Sequence, residues 1–174
     1  MSAPLLAATP LSAQNFIING DFDQGIQGWT SDLAVTALVA PDLNGNPDSH
    51  SSKVVVNPSR GNSGTFWQCA NIPTLLLQSV DFSADLYSLN VAAPSLRVFD
   101  QADCGGNDIG SLGNVNVSGQ GSVNVTLDDA LLPLGARSVR IAFPVDTAHV
   151  SSVIDHVQLL PAGQIFQSGF EETF

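Results

Sequence analysis

Two aromatic residues, Trp67 and Tyr87, have the side chains in this sequence that are best suited to hold a ligand. An aromatic ring can stack on the apolar C–H face of a sugar, while neighbouring amides and carboxylates bond the hydroxyl groups. Asp85 precedes Tyr87 by two residues, so both side chains are predicted on the polar face of one strand. Arg97 is expected on an equivalent face of a nearby strand. Trp67 has an alternative, burial in the core of the protein, which is where Trp29 is expected.

Residues for enzyme chemistry are present, but not in patterns that support catalysis. The three histidines, His50, His149 and His156, are scattered along the chain. The sequence Gly61-Asn62-Ser63-Gly64 lacks the Gly-x-Ser-x-Gly pattern of a nucleophile elbow. No glycine-rich loop suited to phosphate binding occurs, and no pair of carboxylates has a context for general acid–base work. We therefore predict that the protein is not an enzyme.

The charge of the chain excludes whole classes of partner. Five lysines and arginines stand against sixteen aspartates and glutamates in 174 residues, which gives a formal net charge of −11. Nucleic-acid binding requires a basic surface that displaces counterions, so nucleic acid is not an expected partner. No run of about 18 apolar residues is present, so membrane insertion is not expected either. A surface rich in uncharged polar groups suits a secreted protein that binds neutral polar ligands.

The rest of the sequence reads as short strands separated by turn-forming glycine, proline, asparagine and aspartate. Residues 80–89 show the pattern best, because Val80, Phe82, Ala84 and Leu86 alternate with polar side chains. Such alternation predicts a buried and a solvent-facing side in each strand, and many such strands predict an all-β, antiparallel β-sandwich or barrel. Further strands are predicted at residues 16–18, 33–39, 53–57, 65–72, 95–100, 115–117, 122–127, 138–143 and 153–159, with a short helix allowed at 128–132.

One domain accounts for this pattern, from residue 15 to residue 161. Residues 1–14 resemble the tail of a signal peptide because Leu11-Ser12-Ala13 ends in small residues, although prolines interrupt the apolar part. We therefore expect residues 1–14 to be a signal-peptide remnant or a flexible N-terminus. Residues 162–174 are expected to form a C-terminal tail.

The two cysteines, Cys69 and Cys104, stand in contexts that favour a disulfide. Neither belongs to a Cys-x-x-Cys or Cys/His cluster, so a zinc site is not expected. Cys69 lies in a predicted strand and Cys104 in a loop rich in glycine and aspartate, and the pair would be oxidised in an exported protein. Two buried free thiols are the alternative.

Motifs at both ends of the chain carry a family resemblance. The segment Asn19-Gly20-Asp21-Phe22-Asp23, followed by Gly28-Trp29, resembles the opening Asn-Gly-x-Phe-Glu…Gly…Trp pattern of jelly-roll carbohydrate-binding modules. These are modules of the family 4, 9 and 22 type, in the galactose-binding-like superfamily. Residues 152–159 resemble their last strand, which reads apolar-apolar-Asp-Asp-Val-x-Leu. The cysteine pair is similar to one in secreted bacterial proteins with this fold, and residues 165–171 resemble an ending found on exported gammaproteobacterial proteins.

The resemblance implies a jelly-roll fold and a structural calcium ion. In many such modules the acidic residue of the first motif and the first aspartate of the last strand help to hold calcium, which corresponds to Asp23 and Asp155 here. The aspartate that the family has after Asp155 is His156 in this chain, and histidine is a poor calcium ligand. If Asp155 binds no cation, it is expected to cap a turn or to pair with an arginine. The oxygen side chains that alternate from Asp42 onward are similar to a calcium loop, but a solvated loop is the favoured interpretation because a proline stands where glycine is needed.

The resemblance also implies a ligand. Trp67, with Arg60 seven residues before it, resembles the position of a ligand-stacking tryptophan in xylan-binding members of the family. We therefore expect a secreted, non-catalytic module that recognises a neutral glycan on a concave sheet through Trp67, Tyr87, Arg97, Asp85 and Arg60. The alternative is a structural or adhesive extracellular surface protein that has the same fold without a sugar site and self-assembles.

Overall fold

The computed structural model describes residues 14–32, 34–43, 49–57, 59–73, 79–88, 93–115, 117, 121–146 and 151–162. Ten strands lie within these ranges: β1 Thr30–Ser31, β2 Val35–Pro41, β3 His50–Val56, β4 Ser63–Asn71, β5 Ser79–Ser88, β6 Ser95–Phe99, β7 Asp108–Ser111, β8 Gly121–Leu131, β9 Ser138–Asp146 and β10 Ser151–Pro161. A short 3-10 turn at Ala102–Cys104 is the helical element of the described residues. Over those same ranges, no helix has the length and apolar character that a membrane crossing requires.

The strands form two five-stranded antiparallel sheets. Sheet A has the order β1-β4-β9-β6-β7, and sheet B has the order β2-β3-β10-β5-β8. In sheet A, β9 lies between β4 and β6, and in sheet B, β5 lies between β10 and β8. Strands that follow one another in the chain often belong to different sheets, as β4 and β5 do. This arrangement confirms the predicted all-β, antiparallel β-sandwich.

The core lies between the two sheets and is filled by the inward side chains of the alternating strands. In β5 the buried residues are Val80, Phe82, Ala84 and Leu86, which are the four that the alternation predicts. The central strands β9 and β10 contribute a similar inward row, whose buried members are Val139, Ile141, Phe143, Val145, Ile154, Val157 and Leu159. Burying these apolar side chains is the main driving force that holds the two sheets together.

The segment before β1 wraps one end of the sandwich and brings two aromatic side chains into the core. Phe22 and Trp29 are both buried, and Trp29 stacks on Phe66 with 4.9 Å between the ring centroids. Buried Gln68 holds the segment by accepting a hydrogen bond from the backbone N–H of Ile18 at 2.7 Å and donating one to the Ile18 carbonyl at 2.8 Å. The predicted core position of Trp29 is therefore confirmed.

Several local predictions from the sequence were wrong. Residues 16–18 form bends rather than a strand, residues 115 and 117 lie outside the strands, and residues 128–131 continue β8 instead of forming a helix. Strands β1 and β7 were not predicted, because each has four residues or fewer and depends on a neighbouring strand for its pairing. The signal-peptide remnant predicted at residues 1–14 and the C-terminal tail predicted at 162–174 lie outside the described residues, apart from Gln14 and Ala162. The domain boundaries therefore stay a prediction.

Candidate functional site

Trp67 lies on the outer face of sheet A, in the middle of β4. Because side chains alternate along a strand, Phe66 and Gln68 point into the protein and Trp67 points away from the core. Its cross-strand partners are Thr30 of β1 and Ala142 of β9, so small side chains border the ring on both sides. The ring is partly exposed and lies outside the core cluster, which excludes the alternative of a core tryptophan.

Two arginines lie on the same outer face as Trp67, and one of them contacts its ring. The guanidinium carbon of Arg140 is 5.5 Å from the centroid of the Trp67 ring, which is a cation–π distance. Arg140 of β9 is the direct cross-strand partner of Arg97 of β6. The Oδ2 atom of Asp108, in β7, accepts a hydrogen bond from Nε of Arg97 at 2.7 Å and lies 2.6 Å from Nη2 of the same side chain. The hydrogen bond from Arg97 is the main cause that holds the pKa of the Asp108 carboxyl below its usual value.

A disulfide closes one end of this outer face. Cys69 of β4 is bonded to Cys104 in the loop between β6 and β7, which confirms the predicted pair. In the same loop, Asp103 donates its backbone N–H to the side-chain oxygen of Asn71 at 2.7 Å and accepts a bond from the Asn71 amide at 2.7 Å. Since Cys69 and Asn71 have outward side chains, the loop lies against the outer face of sheet A and forms a wall at the end of β4.

Tyr87 lies on the outer face of sheet B, on the opposite side of the sandwich from sheet A. Its side chain is 47% exposed, in agreement with the alternation of β5. Its cross-strand partners are Val153 of β10 and Ser122 of β8. Two residues before it, Asp85 accepts a hydrogen bond of 2.7 Å from the side-chain amide of Asn124. This face also offers an aromatic ring with polar neighbours.

The five residues predicted for one ligand site therefore lie on different faces. Trp67 and Arg97 are on sheet A, whereas Tyr87 and Asp85 are on sheet B, so the expectation that Arg97 lies near Tyr87 was wrong. The physical reason is that the chain crosses from sheet B to sheet A between β5 and β6, which the alternation within each strand cannot reveal. Arg60 is exposed in the turn before β4, and no described hydrogen bond or ring contact joins it to Trp67.

Arg140 is the neighbour of Trp67 that sequence reasoning missed. The alternating pattern of residues 138–143 can place its side chain on an outward face. The pattern cannot place it next to Trp67, because β4 and β9 are far apart in the sequence and meet only through sheet pairing. Cross-strand register was therefore the missing information.

Asp155 of β10 is fully buried and lies in a cluster of ionisable groups. Atoms of its carboxylate, of the buried Asp42 carboxylate and of the His156 imidazole lie within 4.8 Å of one another. A bulge in β10, where φ of His156 is 46°, also brings Nδ1 of His156 to 3.3 Å from Oδ2 of Asp85. Backbone N–H groups of His156 and Leu43 donate hydrogen bonds to Asp155 at 2.8 and 3.4 Å. Asp155 therefore accepts hydrogen bonds from the bulge of β10 and from the turn after β2.

Burial raises the pKa of the Asp155 carboxyl to about 6, and the charge of Asp42 contributes to the increase, while the N–H and the imidazole of His156 oppose it. Two buried carboxylates supply hard oxygen donors of the kind that calcium prefers, so Asp155 and Asp42 fit such an ion. Asp23, the other predicted ligand, is not part of this cluster; its Oδ1 accepts the backbone N–H of His50 at 3.2 Å.

Solved structures of carbohydrate-binding modules share this fold. The C-terminal family 22 carbohydrate-binding module of Clostridium thermocellum Xyn10B aligns with 84% of this chain and 98% of its own, at 16% identity and a TM-score of 0.56. TmCBM61, solved in complex with β-1,4-galactotriose, aligns with 84% of this chain and 97% of its own, at 19% identity and a TM-score of 0.54.

A third similar structure belongs to a much longer protein. The enzymatically active domain of tailspike protein 4 from bacteriophage CBA120 aligns with 84% of this chain at 24% identity and a TM-score of 0.66, but this chain spans 21% of the tailspike chain. Neither protein-family models nor curated protein sequences give a match. Likeness at these identities establishes the fold and leaves the ligand to the site itself. The chain therefore has the two-sheet β-sandwich fold that solved carbohydrate-binding modules have.

Proposed function

We propose that this protein is a non-catalytic carbohydrate-binding module that binds a polysaccharide with a neutral backbone along the outer face of sheet A. The observation that carries the proposal is the outward, partly exposed position of Trp67 in the middle of β4, the second strand of that sheet. Because the direct cross-strand neighbours Thr30 and Ala142 are small, a sugar can stack through its apolar C–H face on the part of the ring that the Arg140 guanidinium does not cover. Thr30, Ser95 and Arg140, from the neighbouring strands, supply hydrogen-bonding groups for the hydroxyls.

Similar structures support a polysaccharide as the ligand. They include a xylan-binding domain of family 22, a xylanase module complexed with xylohexaose, and the module bound to galactotriose. The net charge of −11 disfavours a densely anionic polymer, because like charges repel at long range. Xylan and galactan are therefore the first ligands to test.

The proposal includes export and the absence of catalysis. The disulfide between Cys69 and Cys104 suits a protein that folds in an oxidising compartment, and it supports secretion. The described histidines, His50 and His156, are in contact with Asp23 and Asp155 respectively and belong to strands of sheet B. On sheet A, the face proposed for the glycan, ligand recognition therefore depends on aromatic, hydroxyl and guanidinium groups.

Affinity electrophoresis in gels that contain xylan or galactan tests the proposal and its location. Trp67→Ala should weaken the affinity calculated from the retardation roughly thirty-fold, as expected for loss of a central aromatic contact. Tyr87→Ala is the matched control on the opposite sheet and should stay within about twofold of the wild type. Loss of binding in the Tyr87 variant alone would move the site to sheet B. Failure of the wild-type protein to bind any glycan, with assembly seen by size-exclusion chromatography, would favour the structural or adhesive alternative.

We also propose that Asp155 and Asp42 hold a structural calcium ion. Two adjacent buried carboxylates repel each other unless a cation or a proton lies between them, and this supports the proposal. After treatment with a chelator, about 1 mM calcium should raise the melting temperature, because a ligand that binds only the native state stabilises it. Asp155→Asn should abolish this increase, and an equal concentration of magnesium is the control. An unchanged melting temperature in wild-type protein would contradict the proposal.

A further inference from the structure

Two positive charges face each other on the sheet that carries Trp67. Lysine and arginine together account for only five residues of this chain, yet Arg140 and Arg97 are direct cross-strand partners on β9 and β6. Like charges that lie directly opposite in a sheet destabilise it. Asp108 offsets the charge of Arg97 through two short contacts to its Oδ2 atom, and its Oδ1 atom accepts the N–H of Gly110. The oxygens of Asp108 therefore bond Arg97 and Gly110, and the carboxylate interacts with Arg140 through charge at longer range.

Arg140 has an unmet hydrogen-bonding capacity. Its Nε atom is buried and has no hydrogen-bond partner within the described part of the chain. A buried donor without an acceptor destabilises the folded protein by the full free energy of removing that group from water. The guanidinium of Arg140 lies over the ring of Trp67, with its carbon 5.5 Å from the ring centroid, and this contact orients the side chain without satisfying its N–H groups. Arg140 is thus held in position beside the surface that we assign to a sugar ring.

An anionic group of a ligand would offset the like charges of Arg140 and Arg97 and bond the outer end of the Arg140 guanidinium, whose Nε atom is buried. A carboxylate accepts two parallel hydrogen bonds from the planar fork of a guanidinium, and its negative charge would offset the repulsion between Arg140 and Arg97. The sugar ring that carries the carboxylate would lie on Trp67. We infer that Trp67, Arg140 and Arg97 form a subsite for a uronic acid residue of the bound polysaccharide. This inference rests on the proposed function of the same face.

The overall charge restricts which acidic polysaccharide fits. A polymer with a carboxylate on every sugar would be repelled by a protein with a net charge of −11. One uronic acid among many neutral sugars meets the two arginines locally and adds little repulsion, because exposed charges are screened beyond about 10 Å in ordinary buffer. The ligand class is therefore a neutral backbone with sparse uronic acid substituents.

Chemical reduction of the carboxyl groups provides a direct test on the wild-type protein. The probes are xylan and galactan with sparse glucuronic acid, the same two polymers after carboxyl reduction to neutral sugars, and a sulfated galactan. Affinity electrophoresis should show about tenfold or stronger binding to a polymer with its carboxylates than to its reduced form. This preference should shrink at about 0.5 M NaCl. Equal binding to both forms would overturn the inference while leaving the proposed function intact, and absence of binding to all probes would remove both. A stronger preference for the sulfated galactan would overturn the assignment to carboxylate.

Two variants separate the subsite from the overall charge. Arg140→Gln should bind the carboxylated polymer and its reduced form within about twofold of each other, because the group that distinguishes the two forms is lost. Lys53→Gln removes one positive charge from the outer face of sheet B, and it should keep the preference. Equal loss of the preference in both variants would show that net charge is responsible and would overturn the subsite. Thermal unfolding of each variant checks that the fold is intact, and the comparison on wild-type protein does not depend on any variant.

Discussion

Among the described residues, Asp155 has the carboxyl group whose pKa the fold raises to about 6. Burial raises the pKa of its carboxyl from 3.8 to about 6, although backbone N–H groups of His156 and Leu43 donate to it. The nearby Asp42 carboxylate acts in the same direction as burial. Without a bound cation, the native state therefore holds the proton of Asp155 more tightly than the unfolded chain does.

This difference predicts that stability falls as pH rises when a chelator is present. The contribution of Asp155 is complete below about pH 3.8 and is lost as the pH rises through about 6, because the native state must then bury a charge. Urea unfolding between about pH 4 and 7 measures the effect, and Asp155→Asn should remove it. Asp100 and Asp108 have lowered pKa values, so their contribution to stability is lost toward acid pH. This loss is the same in the wild-type protein and in Asp155→Asn.

The quantity to follow is thus the difference in unfolding stability between the wild-type protein and Asp155→Asn at each pH. Exposed Asp128 of β8 provides the control, since Asp128→Asn should follow the wild-type curve. Excess calcium should flatten the wild-type profile because a cation stabilises the ionised carboxylate. Wild-type and Asp155→Asn curves that run parallel from pH 4 to 7 would show that Asp155 does not titrate in this range.

At the level of strands, side-chain direction could be predicted and strand order could not. The period-two pattern of β5 correctly placed Tyr87 outside and Phe82 inside, because direction depends only on the local backbone. Grouping Tyr87 with Arg97 failed, since the order of strands in a sheet depends on pairing between distant segments. The burial of outward-facing Asp155 also escaped prediction, because it arises from the bulge in β10 and from residues that follow β2.

The disulfide is the element-level feature with the largest predicted effect on stability. Cys69 and Cys104 are 35 residues apart, and closing a loop of this length in the unfolded chain corresponds to about 4 kcal/mol in the chain-entropy model. Reduction should therefore lower the urea midpoint by a corresponding amount and loosen the loop that contains Asp103 from Asn71. Denaturation with and without a thiol reductant measures the change.

A serine variant distinguishes the bridge from side effects of the reductant. Cys69→Ser combined with Cys104→Ser should show the lower stability of the reduced protein, and adding reductant to it should change nothing. If the oxidised wild type and the double variant unfold at the same urea concentration, the bridge does not contribute to stability through the unfolded chain.

For the whole molecule, the two outer faces differ in the chemistry that they offer. The outer face of sheet A presents Trp67 with Arg140 and Arg97, whereas the outer face of sheet B presents Tyr87 near Asp85. Both faces belong to a molecule with a formal net charge of −11, whose carboxylates repel one another. The arginines of sheet A thus form a local exception in a negative field, which is why the inferred subsite suits one carboxylate and not a row of them.

The same negative field predicts that sodium chloride stabilises the protein at neutral pH. Raising NaCl from about 10 mM to about 0.2 M shortens the Debye length to less than 10 Å and weakens repulsion among the carboxylates. A gain of about 1 kcal/mol would raise the melting temperature by about 2–4 °C in a chain of this size. Near the sequence pI of about 4.1 the net charge vanishes, so the same change in salt should have little effect on the melting temperature there. Measurements in chelator at both pH values separate this screening from calcium binding. An equal shift at both pH values would mean that salt acts on apolar hydration and not on charge repulsion.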